Sequence, residues 1–126
     1  MGKLVIDYDD PTAKVMCRPT QESVYFEPAG SYIIIGGMGG LGRALIEWML
    51  ERGARNFVLM ARSGAARYGE EAELLIQKVE AAGGRLDTVK GDATDRKDIQ
   101  RCVDTAASYG PIKGAINSAM IVGVCS

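Results

Sequence analysis

The feature that most constrains the fold is an apolar run that breaks directly into a cluster of glycines. Tyr32-Ile33-Ile34-Ile35 is followed by Gly36-Gly37-Met38-Gly39-Gly40-Leu41-Gly42-Arg43. The run predicts a buried strand, and the residues after the glycines predict an amphipathic helix with one apolar face. That face is expected to contain Leu41, Ala44, Leu45 and Trp48. A strand, a glycine turn and a helix in immediate succession are typical of the first unit of a Rossmann fold.

The glycine cluster also has a chemical consequence. Where no Cβ intervenes, a phosphate can reach backbone N–H groups, and the positive end of the helix dipole adds to the attraction. We therefore predict that this turn binds the pyrophosphate of a dinucleotide through Gly36, Gly37, Met38, Gly39, Gly40, Leu41 and Gly42. The alternative is a tight strand-to-helix turn without a ligand. The spacing Gly36-x-x-x-Gly40-x-Gly42 is the one used by short-chain dehydrogenases and reductases.

Composition limits the classes of partner. The 126 residues suit one domain, and 15 Lys plus Arg against 16 Asp plus Glu leave a net charge of −1. Because there is no basic block, neither nucleic acid nor an anionic membrane is expected as a partner. Three cysteines without a C-x-x-C pair, and no histidine, argue against a disulfide framework or a zinc site. No secretion signal or membrane span is visible, and a reducing, cytoplasmic compartment is expected.

Three more strands and two more helices are predicted after the first helix, which should end at Gly53. Strands are expected at residues 57–60, 85–90 and 114–117, and helices at 67–82 and from Thr94, as N-cap, to Gly110-Pro111. The second helix should bury Ala72, Leu75, Ile76 and Val79, and the third Ile99, Cys102, Val103 and Ala106.

This element order predicts an α/β fold: a Rossmann-like parallel sheet of strand order 3-2-1-4 with helices on both faces, an incomplete doubly wound fold. The first two strands are apolar at every position, as in strands covered on both faces, whereas the third alternates and suits an edge. Residues 31–126 are expected to form this partial domain. Residues 1–30 are interpreted as an extended lead-in, an edge strand plus a loosely packed linker.

The end of the second strand indicates which cofactor is preferred. Arg62 stands about twenty residues beyond Gly42, where an acidic residue would select NAD and a cation selects the 2′-phosphate of NADP. Ser63 adds a hydroxyl donor, and Ala61 lies beside them. The alternative for Arg62 is a solvated turn residue.

Polar residues also follow the third and fourth strands. Asp92, beside Ala93, lies where its carboxylate could accept a hydrogen bond from the adenine amino group, or it could be a turn residue. Asn117, Ser118 and Ala119 end the fourth strand beside the glycine turn. A satisfied strand-end amide is the alternative for Asn117.

Four ordered motifs together resemble the ketoreductase domain of polyketide synthases, especially the fungal highly reducing type, within the short-chain dehydrogenase/reductase superfamily. They are the segment 32–43, then Trp48-Met49-Leu50-Glu51-Arg52-Gly53-Ala54-Arg55, then Ala61-Arg62-Ser63-Gly64, and finally Gly91-Asp92-Ala93-Thr94-Asp95. The resemblance covers about residues 22–124. The lead-in from Gly2 also looks like the tail of the enoyl reductase domain that precedes a ketoreductase in such synthases.

The resemblance implies NADPH as cofactor. It places the pyrophosphate on Gly36 to Gly42, the 2′-phosphate on Arg62 and Ser63, the adenine at Asp92, and the nicotinamide-side ribose at Asn117 to Ala119. It further implies reduction of a β-ketoacyl thioester, presented on an acyl carrier, to a β-hydroxyacyl thioester. Two departures are Ile35, where many relatives have Thr, and Asn117-Ser118-Ala119-Met120, where the superfamily has a run such as Asn-Asn-Ala-Gly.

No catalytic residue is assigned in this chain. In the family the catalytic Ser, Tyr and Lys lie beyond the fourth strand, so the chain alone is expected to bind NADPH without reducing ketones and to need the remainder of a ketoreductase or synthase. Tyr109-x-x-x-Lys113 is rejected as a substitute, because Gly110-Pro111 prevents the helical turn that would align the two side chains. The alternatives are a non-catalytic nucleotide-binding or interaction module and, less favoured, a complete small Rossmann enzyme of another class.

Overall fold

Strands and helices alternate along the chain. The computed structural model describes residues 11, 12, 14, 17, 23–64 and 67–119, and the elements lie within these residues. In order they are β1 (Ser31–Ile35), α1 (Gly40–Glu51), β2 (Asn56–Ala61), α2 (Gly69–Ala81), β3 (Arg85–Lys90), α3 (Arg96–Tyr109) and β4 (Ile112–Asn117). The four strands form one parallel sheet in the order β3-β2-β1-β4. The predicted Rossmann-like fold and strand order are confirmed.

The parallel pairing brings the carboxyl ends of the strands to one edge of the sheet. Along β1 and β2 the register runs from Ser31 beside Asn56 to Ile35 beside Met60, and Ile35 lies beside Asn117 of β4. The turn after each strand must therefore emerge at this edge. Every site residue predicted from the sequence lies after one of these strands or at its last position.

Two apolar clusters cover the two faces of the sheet. On one face Ile34, Phe57 and Leu59 pack with α1 and α2, and on the other Ile33, Val58 and Met60 pack with α3. β2 is buried on both faces, as predicted from its unbroken apolar run. Cys102 of α3 is core, also as predicted, and burial raises the pKa of its thiol.

The predicted buried face of α1 is wrong. Leu41 is 74% exposed, Trp48 is 38% exposed, and Ala44 is also exposed; of the predicted set only Leu45 packs against the core. The buried residues of α1 are Gly42, Ile46, Met49 and Leu50. The start of the helix packs through Gly42 against the backbone of Gly37, and a hydropathy pattern does not register this contact because glycine has no side chain.

Residues 23–30, the continuous described part of the lead-in, form no strand and contact the first domain helix through Phe26. The Phe26 amide donates to the carbonyl oxygen of Arg52 at 2.8 Å. The Phe26 ring packs edge-on against Tyr32 at 5.4 Å and Trp48 at 5.5 Å, and the Glu27 amide donates to the Tyr32 hydroxyl at 2.9 Å. This part of the lead-in is anchored at the end of α1. The apolar run at residues 4–6 lies outside the described residues.

The start of α3 also differs from the prediction. Its N-cap is Asp95, whose carboxylate accepts from the Lys97 amide at 2.9 Å, and not Thr94. Asp95 has the extended backbone that an N-cap requires, with φ −95° and ψ 119°. The hydroxyl of Thr94 instead donates a hydrogen bond to Oδ1 of Asp92. The predicted end of α3 before Gly110-Pro111 is confirmed.

Candidate functional site

The glycine turn between β1 and α1 is tight, because two of its glycines lie directly against other backbone. Gly36 has φ +76°, and a Cβ on it would lie 2.7 Å from backbone atoms of Ala119. A Cβ on Gly42 would collide with the backbone of Gly37. Glycine at these two positions permits the close approach of the turn to the residues after β4 and of α1 to the turn itself.

Gly39 and Gly40 differ from the other glycines of the turn, because the described residues leave open the space beside them. Among these residues, a Cβ on Gly40 would meet nothing within 4 Å, and one on Gly39 would meet only the Gly36 carbonyl oxygen at 4.0 Å. Gly39 is the N-cap of α1 and supplies no side-chain hydrogen bond to the helix. The space beside Gly39 and Gly40, at the N-terminal end of α1, is therefore open, which fits a pyrophosphate.

Met38 contributes only its backbone to this turn, because its side chain is buried in the core beneath α1. Leu41, by contrast, exposes its side chain at the start of the helix.

The turn after β2 carries Arg62 and Ser63, both exposed. The Ala61 carbonyl oxygen accepts from the Gly64 amide at 3.2 Å and from the Gly91 amide at 3.1 Å, which ties this turn to the one after β3. The positive charge of Arg62 is close enough to help lower the pKa of Asp92. The structure therefore brings the cation and the carboxylate predicted from the sequence to the same part of the sheet edge.

Asp92 is engaged within its own turn. Its Oδ1 accepts from the Thr94 amide at 2.9 Å and from the Thr94 hydroxyl at 2.8 Å. These two bonds, in that order, are the main reason that the pKa of Asp92 lies below its usual value. The alternative role as a turn residue is thus observed. Among the described residues no hydrogen bond is made to Oδ2, and Ala93 packs against the α3 side of the core.

Asn117 to Ala119 lie against the glycine turn. The amide and hydroxyl of Ser118 both donate to the Ile35 carbonyl oxygen, at 2.8 and 2.9 Å. Asn117 Oδ1 accepts from the Ala119 amide at 3.1 Å, so the alternative of a satisfied strand-end amide is also observed. This segment therefore borders the glycine turn through its backbone as well as its side chains.

Two residues that organise this edge were missed. Asp98 was given no role in the sequence analysis, yet its Oδ2 accepts from the Asp92 amide at 2.8 Å. Arg101 donates to the other oxygen of Asp98 and, at 3.2 Å, to the Lys90 carbonyl oxygen. The spacing of an acid and a base three residues apart on one helix was the available signal.

Other residues with possible chemistry lie elsewhere. Tyr109 packs on the α3 side with the Arg85 guanidinium 4.8 Å from its ring centre, whereas Lys113 pairs with Glu27 at 3.1 Å. The two side chains therefore have separate partners. Within the described ranges there is no cluster of three potential metal ligands and no helix that could cross a membrane.

A comparison with known protein families identifies the family to which this chain belongs. The family model described as "KR domain" matches residues 30–124. The chain belongs to the KR domain family. This KR chain is 40% identical over 124 residues to highly reducing polyketide synthase 40 of Fusarium mangiferae, a match that covers 97% of the chain and 5% of that protein. The chain spans only about 4–6% of the length of the curated relatives it matches.

Solved structures agree with this KR assignment. A structure of A-type ketoreductases from a modular polyketide synthase superposes with a TM-score of 0.68 and 27% identity, over 84% of this chain and 22% of that one. A metagenomic blue fluorescent protein in complex with NADPH gives a TM-score of 0.62 and 27% identity, over 73% and 36% of the two chains. The resemblance to polyketide synthase ketoreductases that the sequence motifs indicated is confirmed.

Proposed function

We propose that this chain is the NADPH-binding part of a polyketide synthase ketoreductase domain. The observation that carries the proposal is the open space at Gly39 and Gly40, at the N-terminus of α1, on the same sheet edge as Arg62 and Asp92. A protein of similar fold was solved in complex with NADPH, and the relatives are named polyketide synthases or ketoreductases.

Each cofactor group has a proposed set of partners. The turn from Gly36 to Gly42 takes the pyrophosphate through backbone N–H groups. Arg62 and Ser63 take the 2′-phosphate, since a guanidinium and a hydroxyl give charge-assisted hydrogen bonds to it. Asp92 takes the adenine amino group on Oδ2, with Ala93 beside it. Asn117, Ser118 and Ala119 border the nicotinamide-side ribose.

The proposed reaction is reduction of a β-ketoacyl thioester, held on an acyl carrier, to a β-hydroxyacyl thioester. NADPH supplies the hydride when bound, and the oxyanion that forms on the substrate needs an acid and hydrogen-bond donors. No residue in the described part of this chain is assigned that role. We propose that further parts of the synthase supply it.

The exposed side of β4 is where we propose that the remainder of the ketoreductase packs. Ile112 and Ile116 are 38% and 36% exposed, large values for apolar residues of a sheet. A cavity of about 460 Å³ lies between β4 and the lead-in, and its lining includes Tyr25, Phe26, Tyr32 and Ile116. An unpaired strand edge beside apolar surface is a normal site for further chain.

The lead-in is proposed to belong to the same synthase, as the tail of a preceding enoyl reductase domain. The family model begins at residue 30, yet matches to the named synthases cover up to 97% of the chain and so include most of residues 1–29. We also propose a cytoplasmic location, for which the free thiols of Cys17 and Cys102 are suitable.

The test is a titration of the chain with NADPH and with NADH, followed by cofactor fluorescence. We expect tighter binding of NADPH, and Arg62→Ala should remove about 1–3 kcal/mol of that preference because it deletes a charged hydrogen-bond donor. Arg85→Ala is the matched control: it removes the same charge at the amino end of β3, the opposite end of the strands, and should keep the preference. Equal affinity of the wild-type chain for both cofactors would contradict the proposal.

A further inference from the structure

Asp98 holds the turn that carries Asp92. Its Oδ2 accepts from the Asp92 amide at 2.8 Å, and its Oδ1 accepts from Arg101. Arg101 is itself anchored on the Lys90 carbonyl oxygen at 3.2 Å. Because both carboxylate oxygens are bound inside the protein, Asp98 is not placed to bind a ligand itself.

The contact is close and leaves little freedom. A Cβ added to Gly91 would lie 2.8 Å from Cβ of Asp98, so the side chain of Asp98 packs directly on the backbone before Asp92. Thr94 then fixes the carboxylate of Asp92 by two bonds to Oδ1. Backbone and side chain of Asp92 are therefore set by two different residues, and Oδ2 is left for a donor.

Capping of α3 does not explain Asp98. The N-cap function is carried by Asp95, which accepts from the Lys97 amide at 2.9 Å. The bond from Asp92 to Asp98 instead reaches back across the turn, between residues six positions apart. Two hydrogen bonds lower the pKa of Asp98, and the bond from the Asp92 amide has a larger effect than the bond from Arg101. The carboxylate of Asp98 is therefore charged at neutral pH.

We infer that Asp98 is a positioning residue for adenine recognition, held by Arg101, and that it orients Asp92 so that Oδ2 meets the adenine 6-amino group. This inference rests on the proposed function, since it requires that the chain bind NADPH. It adds a specific claim: the discrimination between adenine and a base without the amino group depends on a residue that does not touch the base.

The experiment compares NADPH with its analogue in which purine replaces adenine, a change that deletes only the amino donor. Affinities are measured by cofactor fluorescence for the wild-type chain and for Asp98→Ala, Asp98→Asn and Asp104→Ala. Asp104 is the matched control, because it lies on α3, is exposed and bonds only to Gln100 among the described residues. Circular dichroism melting shows that the chains compared are equally folded.

The wild-type chain should prefer NADPH about tenfold, the discrimination expected of a hydrogen bond to a charged group. Asp98→Ala should reduce the preference to about threefold or less, because Asp92 is no longer held. Asp98→Asn should keep most of it, since its amide oxygen can still accept from the Asp92 amide. Asp104→Ala should behave as wild type. A general loss of stability would weaken binding of both nucleotides and leave their ratio unchanged.

Each other outcome overturns a defined claim. No NADPH binding by the folded wild-type chain overturns the proposed function and the role of Asp98 with it. Binding without a preference for adenine leaves the proposed function standing but removes the assignments of Asp92 and Asp98. A folded Asp98→Ala chain with the full wild-type preference overturns the positioning role alone. Should Asp98→Ala not fold, Arg101→Gln replaces it, and full preference in that variant overturns the inference.

Discussion

The turn after β1 and the turn after β3 lie at the same edge of the sheet, but they are held in opposite ways. The first is held by backbone contacts at Gly36 and Gly42 and by the buried side chain of Met38. The second is held by exposed or half-exposed polar side chains, chiefly those of Asp92, Asp98 and Arg101. The first should therefore be insensitive to pH but intolerant of a side chain at Gly36 or Gly42, whereas the second should depend on the charged and hydrogen-bonding groups of its side chains.

The largest effect expected from this difference is at the glycines. Gly42→Ala should lower the free energy of unfolding by about 1–3 kcal/mol, because the new Cβ collides with the Gly37 backbone. Gly40→Ala, whose new Cβ would meet no described residue within 4 Å, should be neutral or stabilise by up to about 1 kcal/mol, yet it should weaken NADPH binding. Urea denaturation and cofactor titration measure the two effects.

Equal losses of stability in the two alanine variants would show that the turn is not held by the contact between Gly42 and Gly37. Unchanged NADPH affinity in Gly40→Ala would show that the open space beside Gly40 is not where the pyrophosphate lies.

A smaller effect is expected at the start of α3. Asp95→Ala should cost about 1 kcal/mol of stability through loss of the N-cap bond to the Lys97 amide. Thr94→Ala should cost less, since its exposed hydroxyl bonds only to Asp92 among the described residues. Thermal melting of both variants at neutral pH compares them. A larger loss of stability in Thr94→Ala than in Asp95→Ala would identify Thr94 as the N-cap and would contradict the side-chain arrangement of this turn.

The smallest expected effect is the response of the two turns to acid. The pKa values of Asp92 and Asp98 are lowered by hydrogen bonds present only in the folded chain. Their stabilising contribution is therefore present above the usual aspartate value of 3.8 and is lost as pH falls through the lower folded values. Because both groups remain in partial contact with water, the change in stability should be small.

NMR titration of the two carboxyl groups follows this change residue by residue. The carboxyl signals should move with midpoints below 3.8, and the amide of Asp92 should move with them. The amides of residues 36–42 should change little over the same range, since no side chain in that turn titrates. Midpoints at or above the usual value would show that the bonds from Thr94 and Asp92 do not form in solution.

The same contrast explains how much could be predicted from the sequence. The sheet order and the glycine turn followed from local signals, because an unbroken apolar run and a glycine cluster have few other structural uses. The buried face of α1 could not be predicted in this way. It includes Gly42, and a hydropathy pattern gives no weight to a residue without a side chain.

The β3 turn was harder still for sequence reasoning. Thr94 and Asp95 are adjacent and both are good N-caps, and the choice depends on which residue has the extended backbone. The role of Asp98 depends on a chain reversal that brings it to the Asp92 amide. The roles of Arg62, Asp92 and Asn117 toward the cofactor remain predictions.

The most direct test of the account is an amide NMR spectrum of the chain during titration with NADPH. We predict that the largest shift changes fall on the four turns at the carboxyl edge of the sheet, represented by Gly39, Gly40, Ser63, Asp92 and Ser118. Residues at the other ends of the strands, such as Arg85 and Ile112, should change little. Shift changes confined to the cavity near Tyr25 and Ile116, or none at saturating NADPH, would contradict the account.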